Sequence, residues 1–154
     1  MRRAAVITVS DRSSRGERED TSGPLLASLL GELGLDVTPV VVVPDEAIAV
    51  ADAVRAAAAA HDVVVTTGGT GLSPRDVTPE AVAPLLDRQV PGIAEALRAR
   101  GGVATSVLSR GVAGTIGRTL VVTLPGSTGG VRDGVAVLAP VLLHALDQLA
   151  GGDH

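Results

Sequence analysis

No cysteine, no lysine and no aromatic residue occurs among these 154 residues. Without cysteine there is no thiol nucleophile, no cysteine-ligated zinc or iron–sulfur centre and no disulfide. All thirteen basic residues are arginine. That excludes a phosphate loop of the G-x-x-x-x-G-K-[ST] kind and any Schiff-base mechanism. A phosphate held here must be held by arginine, backbone, hydroxyls or a metal ion. The missing aromatics leave no platform for base stacking, and a net charge of −4 leaves no broad basic face, so nucleic acid is not the expected partner. Long apolar runs are also missing. The first run, Ala4–Val9, is too short for a signal peptide or a membrane span, which points to a cytoplasmic protein with no membrane partner.

What remains is aliphatic. With a hydrophobic fraction of 45%, the core must be built from Ala, Val, Leu and Ile, and the length suits one domain over residues 1–154. Val/Ile-rich runs at Ala4–Val9, Val37–Val43, Val63–Thr67 and Leu120–Leu124 read as buried strands. Segments with helical spacing lie over Pro24–Leu33, Glu46–Ala60, Pro79–Leu86, Gly92–Arg100 and Val131–Leu149. Their starts carry cap signals: Gly23 before Pro24, Asp45 before Glu46 and Thr78 before Pro79. Strands alternating with helices predict an α/β fold, with a mostly parallel sheet covered on both faces in a three-layer α/β/α arrangement.

Ligands of such a sheet sit beyond the carboxyl ends of the strands. The four segments there read SDRSSRGEREDTSG, VPDEAI, TTGGTGLSPRDVTPE and TLPGSTGG, and they hold thirteen of the 21 Ser and Thr residues and eight of the 19 glycines, together with the Ser-Asp-Arg, Pro-Asp and Arg-Asp groups. Any one polar loop is explained by solvation; four on one edge point to a cleft. In the third, Gly68, Gly69 and Gly71 permit positive φ and close backbone approach, so successive N–H groups can face an anion. Thr70, Ser73 and Thr78 add hydroxyls. A phosphate cradle and an ordinary glycine turn before a helix cap fit this spacing equally. Asp45 and Asp76 follow strands expected to be neighbours, so both carboxylates can face one cleft and hold Mg²⁺ together with substrate phosphates. Plainer readings are an N-cap for Asp45 and a local ion pair with Arg75 for Asp76.

These segments, in this order, resemble the molybdopterin-binding MogA/MoaB family of molybdenum cofactor biosynthesis, which includes the gephyrin-type G domains. TVSDRSSRGEREDTSG is similar to the family's opening S-D-R segment, VPDEAI to its Pro-Asp motif, and TTGGTGLSPRDVTPEAV to its signature G-G-T-G-x-x-x-R-D-x-T. PGIAEALR, LSRGVAGTIG and LVVTLPGSTGGVRD follow in the family's order. GGTG alone carries little; six ordered segments over nearly the whole chain carry the resemblance.

The resemblance implies an adenylyltransferase that moves AMP from Mg-ATP to the terminal phosphate of molybdopterin, giving adenylylated molybdopterin and pyrophosphate. Both substrates are polyanions, so such an enzyme aligns them and neutralises charge rather than supplying a nucleophile. By the same resemblance Asp45 and Asp76 take the two essential acidic positions and act through Mg²⁺. Gly68, Gly69, Thr70, Gly71, Arg75 and Thr78 fall on the signature loop, Ser10, Asp11 and Arg12 on the first-loop motif, and Asp20 on its later acidic position. Ser109 and Arg110 fall on an L-S-R segment, and Pro125, Gly126 and Ser127 on the last wall. All are implied contacts to substrate phosphate or pterin. The family further implies a homotrimer, or a hexamer of two trimers, and hand-over of the product to a molybdenum insertase.

Paralogues that bind or carry molybdopterin without catalysis share these motifs. Retention of both Asp45 and Asp76 favours the transferase, because clustered carboxylates repel a phosphate unless a cation intervenes. A Rossmann NAD enzyme fits less well, with SDRSSRG after the first strand in place of G-x-G-x-x-G. Three features depart from the family pattern. The segment 99–108 is short, with Gly101 where Ser is common and Ser106 where Pro is usual; Thr128 replaces a common Pro, and Ile93 a frequent Phe. His61, His144 and His154 lie away from the expected cleft, which disfavours a histidine metal site. The last helical segment is apolar around much of its circumference, which suits burial against the sheet and against a neighbouring subunit.

Overall fold

The computed structural model describes residues 1–100 and 104–153, and one seven-stranded sheet organises them. At its centre β1 (Arg3–Val9), β4 (Val63–Thr67) and β7 (Thr119–Leu124) pair in parallel. Every residue of β4 and β7 is buried, which explains continuous apolar runs where a half-exposed strand would alternate. The expected strand Val37–Val43 is two strands, β2 (Asp36–Val37) and β3 (Val41–Val43), both parallel to β1 and paired to its two ends. Pro39 stands in the gap, where it has no N–H to give to the ladder. Beyond β7 come β6 (Ala113–Ile116) and then β5 (Arg88–Gln89), each antiparallel to its inner neighbour. The sheet is thus mixed but mostly parallel.

Helices cover both faces, giving the three layers. On one face α2 (Ser22–Glu32), α6 (Thr128–Leu138) and α7 (Leu142–Leu149) pack Leu26, Leu30, Val131, Leu138, Leu142 and Leu146 onto Val63, Val65, Val122 and Leu124, with α5 (Pro91–Arg100) alongside. On the other, α3 (Ala47–Ala58) and α4 (Thr78–Val82) bring Val50, Val54 and Val82 onto Ile7, Val64 and Val121. A single turn, α1 (Asp11–Ser14), follows β1. Each fully buried Leu or Val is worth about 1.5–3 kcal/mol and a helix cap about 1, so the two aliphatic layers, not the caps, carry the architecture.

Several local expectations shift. Helix α2 starts at Ser22 rather than at Pro24, α3 is preceded by Glu46 rather than Asp45, and Thr78 is the first residue of α4 rather than its cap. The expected helix Val131–Leu149 falls on two helices, α6 and α7, bent by 62°. Pro140 lies in the break, where it can neither donate a helical hydrogen bond nor fit beneath the preceding turn. Among the described residues no single helix is long and apolar enough to cross a membrane.

Candidate active site

Because β1, β3, β4 and β7 run the same way, the segments after Val9, Val43, Thr67 and Leu124 open on one edge. They are joined there. The Ser10 N–H donates to Val43 O and the Gly68 N–H to Leu124 O, both at 2.9 Å, and Thr67 Oγ1 donates to Pro125 O at 2.7 Å. Gly68 and Gly69 have φ of +106° and +71°, and a Cβ on them would strike Val9 O and Thr78 Oγ1. Thr78 is fully buried, and its hydroxyl donates to Gly68 O at 2.9 Å. It fastens the loop from below, so its hydroxyl is neither a helix cap nor presented to a ligand.

The loop's carbonyls and amides have different fates. Arg110 takes the carbonyls: its N–H donates to Thr70 O at 2.8 Å, Nε to Gly71 O at 2.8 Å and Nη2 to Asp76 O at 2.9 Å, while Nη1 pairs with Glu80 at 2.6 Å. Arg110, expected to contact substrate, clamps the loop in this structure. Meanwhile the amides of Gly69, Thr70 and Gly71 donate to no acceptor among the described residues, although Thr70 is only 4% exposed. More than about 90% of buried amides are paired in folded proteins. Three adjacent unclaimed donors have the chemistry to receive the oxygens of an anion.

On one side of the loop Asp11, Asp45 and Arg75 form a network. Asp45 Oδ2 accepts the Asp11 N–H and Asp11 Oδ1 accepts the Asp45 N–H, both at 2.9 Å. Arg75 donates from Nε and Nη2 to the two Asp11 oxygens at 2.9 and 3.0 Å. Two plain expectations are thereby corrected: Arg75 pairs with Asp11 across the cleft rather than with adjacent Asp76, and Asp45 binds the first loop instead of capping α3. The strands that carry Asp45 and Asp76 are not neighbours either, since β1 stands between β3 and β4. Their loops nonetheless converge, and the charge of Asp76 reaches Asp45.

Burial, chiefly, raises the Asp45 carboxyl above the usual aspartate range; the charges of Asp11 and Asp76 add to this and the Asp11 amide opposes it. The Arg75 hydrogen bond, chiefly, and the Asp45 amide hold Asp11 below that range. A carboxylate made reluctant to ionise by burial and like charge is one that a cation relieves. Asp76 Oδ2 accepts the Ser73 N–H at 3.0 Å, and the Oδ1 atoms of Asp45 and Asp76 accept no hydrogen bond from the described residues. Two hard oxygens of this kind fit Mg²⁺ when substrate phosphates and water complete its shell. No group of three acidic or histidine side chains among the described residues forms a full protein cage.

On the other side of the loop is a cavity of about 1170 Å³. Gly69, Thr70, Gly71, Asp76, Ser109, Pro125, Gly126 and Ser127 line it together. Other candidates are drawn into support. Ser10 Oγ accepts the Ser13 N–H at 3.2 Å and caps α1, and Asp20 accepts Thr8 Oγ1 at 2.8 Å and the Gly23 N–H at 3.0 Å. Arg12 is exposed on α1, outside the lining. Sequence reasoning missed Leu97, Arg98, Leu108, Arg132 and Asp133, all on the cavity wall. The signal for Arg132 and Asp133 was present, four and five residues past the Gly-rich start of α6. Arg98 donates to the Ser109 and Gly111 carbonyls at 3.3 and 3.1 Å and so holds the Ser109 segment.

Of the departures, Ser106 lines the cavity, Thr128 begins α6, Ile93 packs against the core, and Gly101 lies outside the described residues. His61 bonds Thr38 and the Ala57 carbonyl before β4, at the far end of the sheet; His144 is on α7, and His154 lies outside the described residues.

Comparisons with known proteins agree with this geometry. Residues 5–144 match the family described as "Probable molybdopterin binding domain". The chain is 44% identical over 150 residues to a molybdopterin adenylyltransferase of Pyrococcus furiosus, covering 92% of this chain and 87% of that protein. It is also 44% identical over 154 residues to a molybdenum cofactor biosynthesis bifunctional protein of Synechococcus elongatus, covering 98% of this chain and 48% of the relative. It thus spans about half the length of the bifunctional relatives it matches. Among solved structures, a molybdopterin biosynthesis protein from Mycobacterium abscessus superposes with a TM-score of 0.93 at 49% identity, covering 97% of each chain. With the signature loop and a cavity at the carboxyl edge of the sheet, the matching family model, relatives and fold place this chain in the molybdopterin-binding family of molybdenum cofactor biosynthesis.

Proposed function

We propose that the protein is a molybdopterin adenylyltransferase, moving AMP from ATP to the terminal phosphate of molybdopterin and releasing pyrophosphate. The observation that carries this reading is the run of unclaimed amides Gly69–Gly71, with the carboxylates of Asp45 and Asp76 and a cavity near it. An oxygen of the terminal phosphate attacks the α-phosphorus of ATP; as that P–O bond forms, the bond to pyrophosphate breaks, and no side chain is altered. The chain's task is alignment. The amides bind non-bridging phosphate oxygens, and Arg75, anchored by Asp11 yet 61% exposed, offers its remaining donors to the ATP phosphates. Asp45 and Asp76 hold Mg²⁺, which when bound offsets the phosphate charge. Leu97 and Leu108 give the cavity an apolar side for the ring system of molybdopterin, and Ser109 and Ser127 give it hydroxyls.

The same reading includes a cytoplasmic homotrimer, with a hexamer as the next assembly, and hand-over to a molybdenum insertase. Support for further copies comes from Val41, Val42, Val141 and Leu143, exposed by 37–49%. Support for a linked second step comes from the bifunctional relatives, about half of whose length lies outside the match. The test is purified protein with molybdopterin, ATP and Mg²⁺. Adenylylated molybdopterin and pyrophosphate should form, and should vanish in Asp45→Ala and Asp76→Ala. Tight molybdopterin binding without product in the wild type would leave a non-catalytic carrier instead.

A further inference from the structure

One charged group on the cavity wall has no part in aligning phosphates. Asp133, partly buried on α6, faces the cavity together with Gly129 and Gly130, one helical turn before it. Its carboxylate makes no hydrogen bond or ion pair with any described residue. Some polar neighbours on the wall are engaged, Arg98 on two carbonyls, Asp76 through one oxygen on the Ser73 amide, and Ser127 on the Gly130 amide, while adjacent Arg132 is exposed. A Cβ added at Gly129 would meet nothing within 4 Å, so there is open space at that position of the wall, whereas Gly130 packs against Pro125. In a ligand cavity a carboxylate with both oxygens free to accept can set orientation and specificity.

An ionised carboxylate only accepts, and its two oxygens match a pair of parallel N–H donors on one rigid edge. Two ring systems take part in the proposed reaction. The aminopyrimidinone edge of a pterin presents that pair, a ring N–H beside the 2-amino group. Adenine presents one amino group beside a ring-nitrogen lone pair, which a carboxylate repels. We infer that Asp133 reads the aminopyrimidinone edge of the pterin, and thereby assigns the cavity to molybdopterin rather than to adenosine. This inference rests on the transferase reading above and adds the residue that selects the ring.

The probe is the fluorescent, air-oxidised derivative of molybdopterin that keeps the pterin ring and terminal phosphate, compared with its deaminated form carrying a 2-oxo group. The wild type should bind the amino form at least about tenfold more tightly. Asp133→Ala should lose that preference. Asp133→Asn presents one donor and one acceptor, so it should reverse the preference toward the 2-oxo form, with unchanged circular dichroism and thermal midpoint. Should Asp133→Ala fail to fold, the near-isosteric Asn variant decides the matter. Equal binding of both forms by the wild type, or a wild-type preference that survives in Asp133→Asn, would overturn the role of Asp133 and leave the transferase reading intact. No binding of either form to the wild type would overturn both.

Discussion

Asp45 and Asp11 exchange hydrogen bonds with each other's backbone, yet their carboxyls are pushed in opposite directions, Asp45 upward by burial and Asp11 downward by Arg75. On acidification Asp45 should protonate first, while the Asp11–Arg75 pair persists. Carboxyl-detected NMR titration of the substrate-free protein should place Asp45 above and Asp11 below the ordinary value. The Asp11 contribution to stability, present above its unfolded pKa, is lost only as pH falls through its lower folded pKa. Asp76→Asn keeps an oxygen for the Ser73 amide while deleting the charge. It should preserve the fold and molybdopterin binding but lower kcat on the order of 100-fold or more; a fully active variant would sink the carboxylate argument. Thr66, fully buried, has the one buried side-chain polar atom among the described residues without a partner, so Thr66→Val should raise stability by about 1 kcal/mol in urea unfolding. At this scale residue types were legible and partners were not. Asp45, Asp76 and Arg75 stand out by motif, but that Arg75 reaches Asp11 depends on how two loops far apart in the chain lie together.

At the scale of elements, Arg110 is decisive for the signature loop, because a planar guanidinium spans the Gly71 and Asp76 carbonyls while also pairing with Glu80. Lysine keeps the charge but not the fork. Arg110→Lys should therefore lower both the thermal midpoint and the affinity for ATP, the latter roughly tenfold, and isothermal titration measures the second directly. Central strands were readable because β-branched runs buried on both faces have no other use. Edge strands were not: β5 has two exposed residues and β6 contains Gly114, so neither forms a run. A hint lay in Gly117-Arg118, a two-residue turn between the paired Ile116 and Thr119. Pro39 and Pro140 each divide what hydropathy alone joins.

For the whole molecule, the sheet edge on which the four polar loops open followed from strand order alone, since parallel strands place all their carboxyl ends together. What did not follow was how that edge divides between the Asp11–Asp45–Arg75 network and the cavity, because it depends on contacts between loops far apart in the chain. If the exposed valines and leucines on β3 and near α7 meet further copies, sedimentation should report about three times the 15.3 kDa chain, and Leu143→Glu should shift it toward the monomer.

The unclaimed amides at Gly69, Thr70 and Gly71 also define a clock. In deuterated solvent, β4 just before them should exchange only when the sheet opens, whereas these three protons should exchange faster. A bound phosphate should reverse that contrast, so the loop would report occupancy through its own protons, on a protein with no Trp, Tyr or Phe to do so by light.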